Sequence, residues 1–206
     1  MHVVLRAVSD VGNLRRTEIY KAIRAASRTS ARRVEFRIVH LSIQHTHVHL
    51  LVEAEDKLAL ARGMQSFQIS AARHINTVLG ADKYRRRRGP VFVDRYHLVV
   101  IKSPTQARHV LAYVLGNWRK HREDQHGLPA TWLIDPFSSA CSFPGWKELE
   151  ETIGSWTLPP KYQPLVVSPP QSWLLHKGWR RAGTISIYEV PGAAGSEVRR
   201  QQRRRA

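Results

Sequence analysis

Cysteine is all but missing from this chain of 206 residues: Cys141 stands alone. One thiol closes no disulfide framework and builds no cysteine-based zinc site, which fits a reducing, cytoplasmic setting. Long apolar runs are missing too. No stretch approaches the ~20 residues of a membrane span, and Met1–Ser9 carries no signal-peptide pattern, so no membrane partner is expected. No internal repeat is found. Acidic residues are scarce: 16 Asp and Glu face 33 Lys and Arg, for a net charge of +17. Such an excess points to a polyanionic partner, and with membranes set aside nucleic acid leads.

What is present suffices for one core. Hydrophobic residues make up 42% of the chain, enough for one ordinary domain plus an extension but a squeeze for two. Residues 1–122 hold 23 Lys and Arg against 8 Asp and Glu, whereas residues 123–176 hold 2 against 6 and residues 177–206 hold 8 against 2. The basic surface thus belongs mainly to the first segment.

Apolar spacing along that segment predicts alternating elements. His2–Val8 alternates as a strand, Thr17–Ser30 repeats with a helical period, and Val34–Ile43 and His47–Ala54 read as strands around a bend at Gln44–His45. Asp56 is placed to cap a long helix through Leu60, Met64, Phe67, Ala71, Ile75 and Val78, stopped by Gly80. Val91–Ile101 reads as a fourth strand. Ser103-Pro104-Thr105-Gln106 combines an N-cap, a first-turn proline and a reciprocal glutamine, opening a helix to about His121. The order βαββαβ plus a helix predicts an α+β, ferredoxin-like antiparallel sheet with helices on one face and one added C-terminal helix. Residues 123–191, rich in Trp and Pro, are expected to form an irregular extension packed on the core, with a small helix and hairpin over Trp173–Val190. Residues 192–206 read as a basic, disordered tail. Met1 stands almost on the first strand, as it would if the natural chain began further upstream.

Two residue pairs carry the chemistry. In Ile43-Gln-His-Thr-His-Val-His-Leu-Leu-Val52 the strand period puts His47 and His49 on one face and Val48, Leu50 and Val52 on the other. Two imidazoles on one face can hold a divalent metal; the alternative is a plain surface pair on a half-exposed strand. His45 is either a third ligand or the start of the strand, and His40 is taken as structural. Tyr113 and Asn117 lie four apart on the last helix, in a row with His109, beside a buried stripe of Val110, Leu111, Val114 and Leu115. A core-edge tyrosine is the usual fate of such a residue. Asparagine, however, is a poor mid-helix residue, and its amide oxygen suits a metal. With a metal on His47, His49 and Asn117, the phenol of Tyr113 could attack a phosphodiester, leaving a 5′-phosphotyrosine and a free 3′-OH.

These motifs resemble a known family. His47-Val48-His49 before Leu-Leu-Val resembles the histidine-hydrophobe-histidine (HUH) signature, and Tyr113 with Asn117 resembles the tyrosine element of single-tyrosine transposases, closest to the REP-associated ones. Gly89–His97 and Gln65–Asn76 resemble the family's intervening segments. The likeness covers roughly residues 2–122. Thr46 stands where the family commonly has Asn, and Trp118 where Pro often follows. The resemblance implies a catalytic domain over 1–122, a Mg²⁺ or Mn²⁺ ion, and cleavage and rejoining of single-stranded DNA near hairpins by a bacterial, nucleoid-associated enzyme. It admits a homodimer that exchanges the catalytic helix and a monomer alike.

Other residues are weighed against this. Arg85, Arg86, Arg87, Arg88 and Arg95 are candidates to grip a DNA backbone, though such runs are usually solvated loops. Tyr96 is a second candidate nucleophile, on a strand and without a ligand one turn on. Trp118, Trp132 and Trp146 could stack bases or pack the core. Two rivals remain at this level: a noncatalytic nucleic-acid-binding module of the same fold, and a metal-dependent hydrolase that uses water.

Overall fold

The computed structural model describes residues 1–80, 87–93, 95–125, 131–151 and 157–192. Arg85, Arg86 and all of the expected basic tail except Gly192 lie outside the described residues.

Four strands, β1 (His2–Arg6), β2 (Phe36–Ile43), β3 (His47–Ala54) and β4 (His97–Val99), form one sheet in the order β2-β3-β1-β4. Every neighbouring pair is antiparallel. With α1 (Thr17–Ser30) between β1 and β2 and α2 (Lys57–Val78) between β3 and β4, this is the ferredoxin-like arrangement. Alternation sorts the faces. Val3, Leu5, Val48, Leu50 and Val52 point to one side and are fully buried against Ile19 and Ile23 of α1 and Met64, Phe67 and Ile75 of α2. Each such side chain contributes about 1.5–3 kcal/mol over its exposed state.

The added helix α3 (Pro104–Lys120) takes the other face. Its Leu111, Val114 and Leu115 pack with Val39 and Leu51 of the sheet. Helices on one face thus holds for α1 and α2, and α3 completes a three-layer stack. Ser103 Oγ accepts from the Gln106 amide at 3.2 Å, and Gln106 Oε1 accepts from the Lys102 amide at 2.8 Å. The cap forms as the sequence predicts, with the glutamine reaching one residue further back.

The extension covers the outer side of α3. Trp146, Trp179, Phe143 and Ile185 pack against it, which makes Trp146 a core residue, as is Trp118; Trp132 is half-buried. Arg15 ties the extension to the domain: its guanidinium donates to both carboxylate oxygens of Asp135 (3.0 and 2.9 Å), to the Ile43 carbonyl (3.0 Å) and to Glu123 (2.5 Å). Arg119 donates to the carbonyls of Ile187 and Leu133, and Arg108 pairs with Glu189 and donates to the Thr184 carbonyl at 2.6 Å.

Three expectations change. The fourth strand is split: Phe92 bridges Ala7 and Val93 donates to the Arg6 carbonyl, but the register slips by two residues before His97–Val99 pairs with β1. β2 has a bulge between Ile38 and His40, not only a bend at Gln44. The bulge reverses side-chain parity and turns His40 inward, to within 3.1 Å of Ser139 Oγ. The segment 173–190 holds a short α5 (Trp173–His176), after a short α4 (Lys147–Glu151), and a 3-10 turn, but no hairpin. The carbonyls of Thr184 and Ile187 bind arginines of α3, and Ile185 makes a parallel bridge to Trp146.

Gly63 marks how closely α2 meets the sheet: a Cβ built there lies 2.1 Å from the Phe36 ring. Gly63→Ala is expected to destabilise the protein by about 2–3 kcal/mol, read as a lower denaturation midpoint at unchanged m-value. An unchanged midpoint contradicts this packing.

Candidate metal and nucleophile site

The site forms where α3 crosses the face of β3 opposite α1 and α2. Because Val48, Leu50 and Val52 face α1 and α2, His47 and His49 must face α3. The Tyr113 ring stands 5.1 Å from the His49 ring, edge-on at 86°. Two turns later the His121 ring lies 6.2 Å from that of His47. Asn117 sits midway between Tyr113 and His121 on the same helical row, fully buried. The rings of His47 and His49 are 4.6 Å apart.

The ring nitrogens are sorted by their neighbours. His49 Nδ1 lies 3.1 Å from His2 Nε2, and His47 Nδ1 lies 3.1 Å from Thr46 Oγ1. His49 Nε2 is left buried with no hydrogen-bond partner, and so are both side-chain amide atoms of Asn117. Buried polar atoms are rarely left unpaired, since each costs about 1–3 kcal/mol. An imidazole nitrogen and an amide oxygen of this kind fit a divalent cation, with the Nδ1–H of each histidine turned to its partner. Among the described residues no three His, Cys, Asp or Glu side chains are grouped so as to hold a metal ion; the buried Asn117 amide is a further oxygen donor on the same side as the histidine pair.

Electrostatics favour neutral imidazoles. Burial holds His49 down to about 2, with the nearby His47, His2, His121 and Lys120 adding to it. Burial also holds His2 down to about 4, helped by the N-terminal ammonium and His97, and keeps His47 below its ordinary value. Neutral rings are the form that binds a metal. The Lys120 ammonium lies 4.7 Å from the centre of the Tyr113 ring and supplies positive charge beside the phenol.

His47, His49, Tyr113 and Asn117 are thus brought to one place. His45 is not among them: its Nδ1 is 2.5 Å from Glu123 Oε1, the carboxylate that Arg15 also holds. His109 is exposed. Tyr96 packs against the core under α1 and α2, on the far face of the sheet from the histidine pair. Arg87 spends its guanidinium on Asn76 Oδ1 and the Pro90 carbonyl, which makes it a loop anchor, whereas Arg88 and Arg95 are exposed. Sequence reasoning missed His2, Lys120 and His121. The outward alternation of β1 gives His2 the same face as His49, and steps of seven and eight from Tyr113 give the other two. The His2 ring stacks at 5.2 Å on His49 and stands 6.0 Å from Tyr113, so it neighbours both.

Residues 1–117 match the family model described as "Transposase IS200 like". That segment contains both histidines and Tyr113 and ends at Asn117. No protein of curated function matches significantly. Among solved structures, a proposed transposase from Deinococcus radiodurans R1 aligns at 14% identity over 62% of this chain and 91% of that one, with a TM-score of 0.37.

The lowered histidines make the fold acid-sensitive. His40, also buried and held down to about 4, and His49 are protonated more readily in the unfolded chain, near 6.5. Their stabilisation is fully present above pH 6.5 and is lost as pH falls toward the folded values. At pH 5 the loss is on the order of 2 kcal/mol for each. The melting temperature should therefore drop between pH 7 and 5, and His40→Gln should flatten that drop. A melting temperature constant over this range contradicts the assignment.

Proposed function

The chain belongs to the IS200-like transposase family, and from that premise we propose that it cleaves and rejoins single-stranded DNA, with Tyr113 as nucleophile and His47, His49 and Asn117 holding a divalent metal. The observation that carries this reading is the Tyr113 ring 5.1 Å from His49, beside buried unpaired atoms of His49 and Asn117 in the same chain.

The chain's residues divide the work. Nε2 of His47 and His49 and Oδ1 of Asn117 would hold Mg²⁺ or Mn²⁺. When bound, the ion supplies positive charge to the phosphate oxygens and to the departing 3′ oxygen. In this reading His2 Nε2 accepts the Nδ1–H of His49 across their 3.1 Å contact, the tautomer that leaves His49 Nε2 bare for the metal. α3 delivers Tyr113 and Asn117 as one rigid piece, so the phenol oxygen is positioned without further ordering. It bonds to phosphorus as the P–O3′ bond breaks, and the proton it gives up ends, by way of solvent, on the 3′ oxygen, which leaves as a hydroxyl. The phosphotyrosine conserves the phosphodiester, so a second 3′-OH can reverse the step and join strands without ATP. Lys120, over the Tyr113 ring, meets the DNA phosphate, and exposed Arg88 and Arg95 add backbone contacts. A hairpin beside the cleavage site is the form of substrate proposed.

The test is to incubate the protein with labelled hairpin-bearing single-stranded DNA and Mn²⁺ and look for a denaturation-resistant adduct. Tyr113→Phe is expected to reduce adduct formation at least a thousandfold while leaving DNA affinity within about twofold, and Asn117→Ala is expected to lose most of the metal-dependent rate. Cleavage that survives Tyr113→Phe would instead favour water as nucleophile, and salt-sensitive binding with no adduct would favour a noncatalytic module.

A further inference from the structure

Where the extension closes on α1, three aromatic rings border a cleft of about 700 Å³. Tyr20 of α1 stands edge-on to Phe137 at 5.7 Å and tilted against Tyr162 at 5.8 Å. Its hydroxyl donates to the Gln163 carbonyl at 2.8 Å, which fixes the ring. Pro159 and Pro160 extend the apolar wall. Around this wall stand Lys21, Arg24 and Lys161, and no Asp or Glu lines the cleft. Among the described residues none of the three pairs with a carboxylate. Arg24 uses only its Nε–H, donated to the Pro164 carbonyl at 2.7 Å.

The two halves of this lining select one kind of ligand. A bare anion would leave the rings idle, and a purely apolar molecule would leave three cations uncompensated. A flat base carrying a phosphate uses both, because base–aromatic stacking is sequence-tolerant and the cations track the backbone. The volume lies within the range of small-ligand sites, about 300–1,000 Å³. From this we infer that the cleft seats one unpaired nucleotide of single-stranded DNA, its base against Phe137 and Tyr162 and its phosphates toward Lys21, Arg24 and Lys161. The inference rests on single-stranded DNA being the substrate. It gives the extension a part in substrate binding, since Phe137, Lys161 and Tyr162 lie beyond the segment that matches the family. The seat also touches the catalytic layer. Arg15 lies 4.5 Å over the Phe137 ring and holds Glu123, just past the end of α3.

Photo-crosslinking tests it directly. Full-length protein in EDTA, so that no cleavage occurs, is irradiated with single-stranded oligonucleotides carrying one 5-bromodeoxyuridine at successive positions. One position is expected to crosslink to peptides containing Phe137 or Tyr162, and an abasic site there should weaken binding roughly tenfold. Lys21→Gln with Lys161→Gln, both at exposed positions, should lower the slope of log affinity against log salt by about 1.4, two phosphates at ~0.7 each. Crosslinks only outside the cleft, or an unchanged salt slope, would overturn the inference. So would saturation of the cleft by free dTMP without competition from oligonucleotides. A wild-type protein that forms the Tyr113 adduct but gives no cleft crosslink would sink the seat and spare the chemistry; the converse result would spare the seat.

Discussion

The contact between the Tyr113 ring and the His49 ring is the constraint on which the rest depends. It requires β3 to present its histidines away from α1 and α2, and it requires α3 to lie on that opposite face with one particular row turned down. The first condition follows from strand parity, since a one-residue slip of β3 would turn His47 and His49 toward α1 and α2 and Val48 and Leu50 toward α3. The second depends on parts of the chain far away in sequence. α3 is pressed on the sheet by the extension, through Trp146 and Trp179 and through the arginines that hold Glu189, Thr184, Ile187 and Leu133.

The site itself runs against folding stability. An imidazole nitrogen and a whole side-chain amide are buried there without partners. Aliphatic residues would pack the same volume at lower cost. Such a conflict between local stability and residue choice is expected at functional sites. Here the unpaired atoms belong to residues that flank the Tyr113 phenol and the Lys120 ammonium.

The sequence made much of this legible because the relevant signals are short-range. α1 and β3 run over the ranges their periodicity predicts, and α3 begins at the proline after its Ser103 cap. Strand parity predicted the shared face of His47 and His49, and helical spacing the shared row of Tyr113 and Asn117. What stayed hidden depends on pairing between distant segments. The bulge in β2 shows only in its register on β3, and the contacts that go with it and with the slip beside β4, His40 to Ser139 and Ala7 to Phe92, join residues 99 and 85 positions apart. His2 could be placed on the right face but not beside His49 without the register of β1 on β3. The pairing of Arg15 with Asp135 spans 120 positions, and no local pattern announces it.

The most direct measurement of the central claim is the anomalous scattering of a crystal grown with Mn²⁺. The account predicts one strong peak within bonding distance of His47 Nε2, His49 Nε2 and Asn117 Oδ1, on the side of the Tyr113 hydroxyl. A peak bound by other residues, or no peak with the Asn117 amide hydrogen-bonded to ordered water instead, would contradict it.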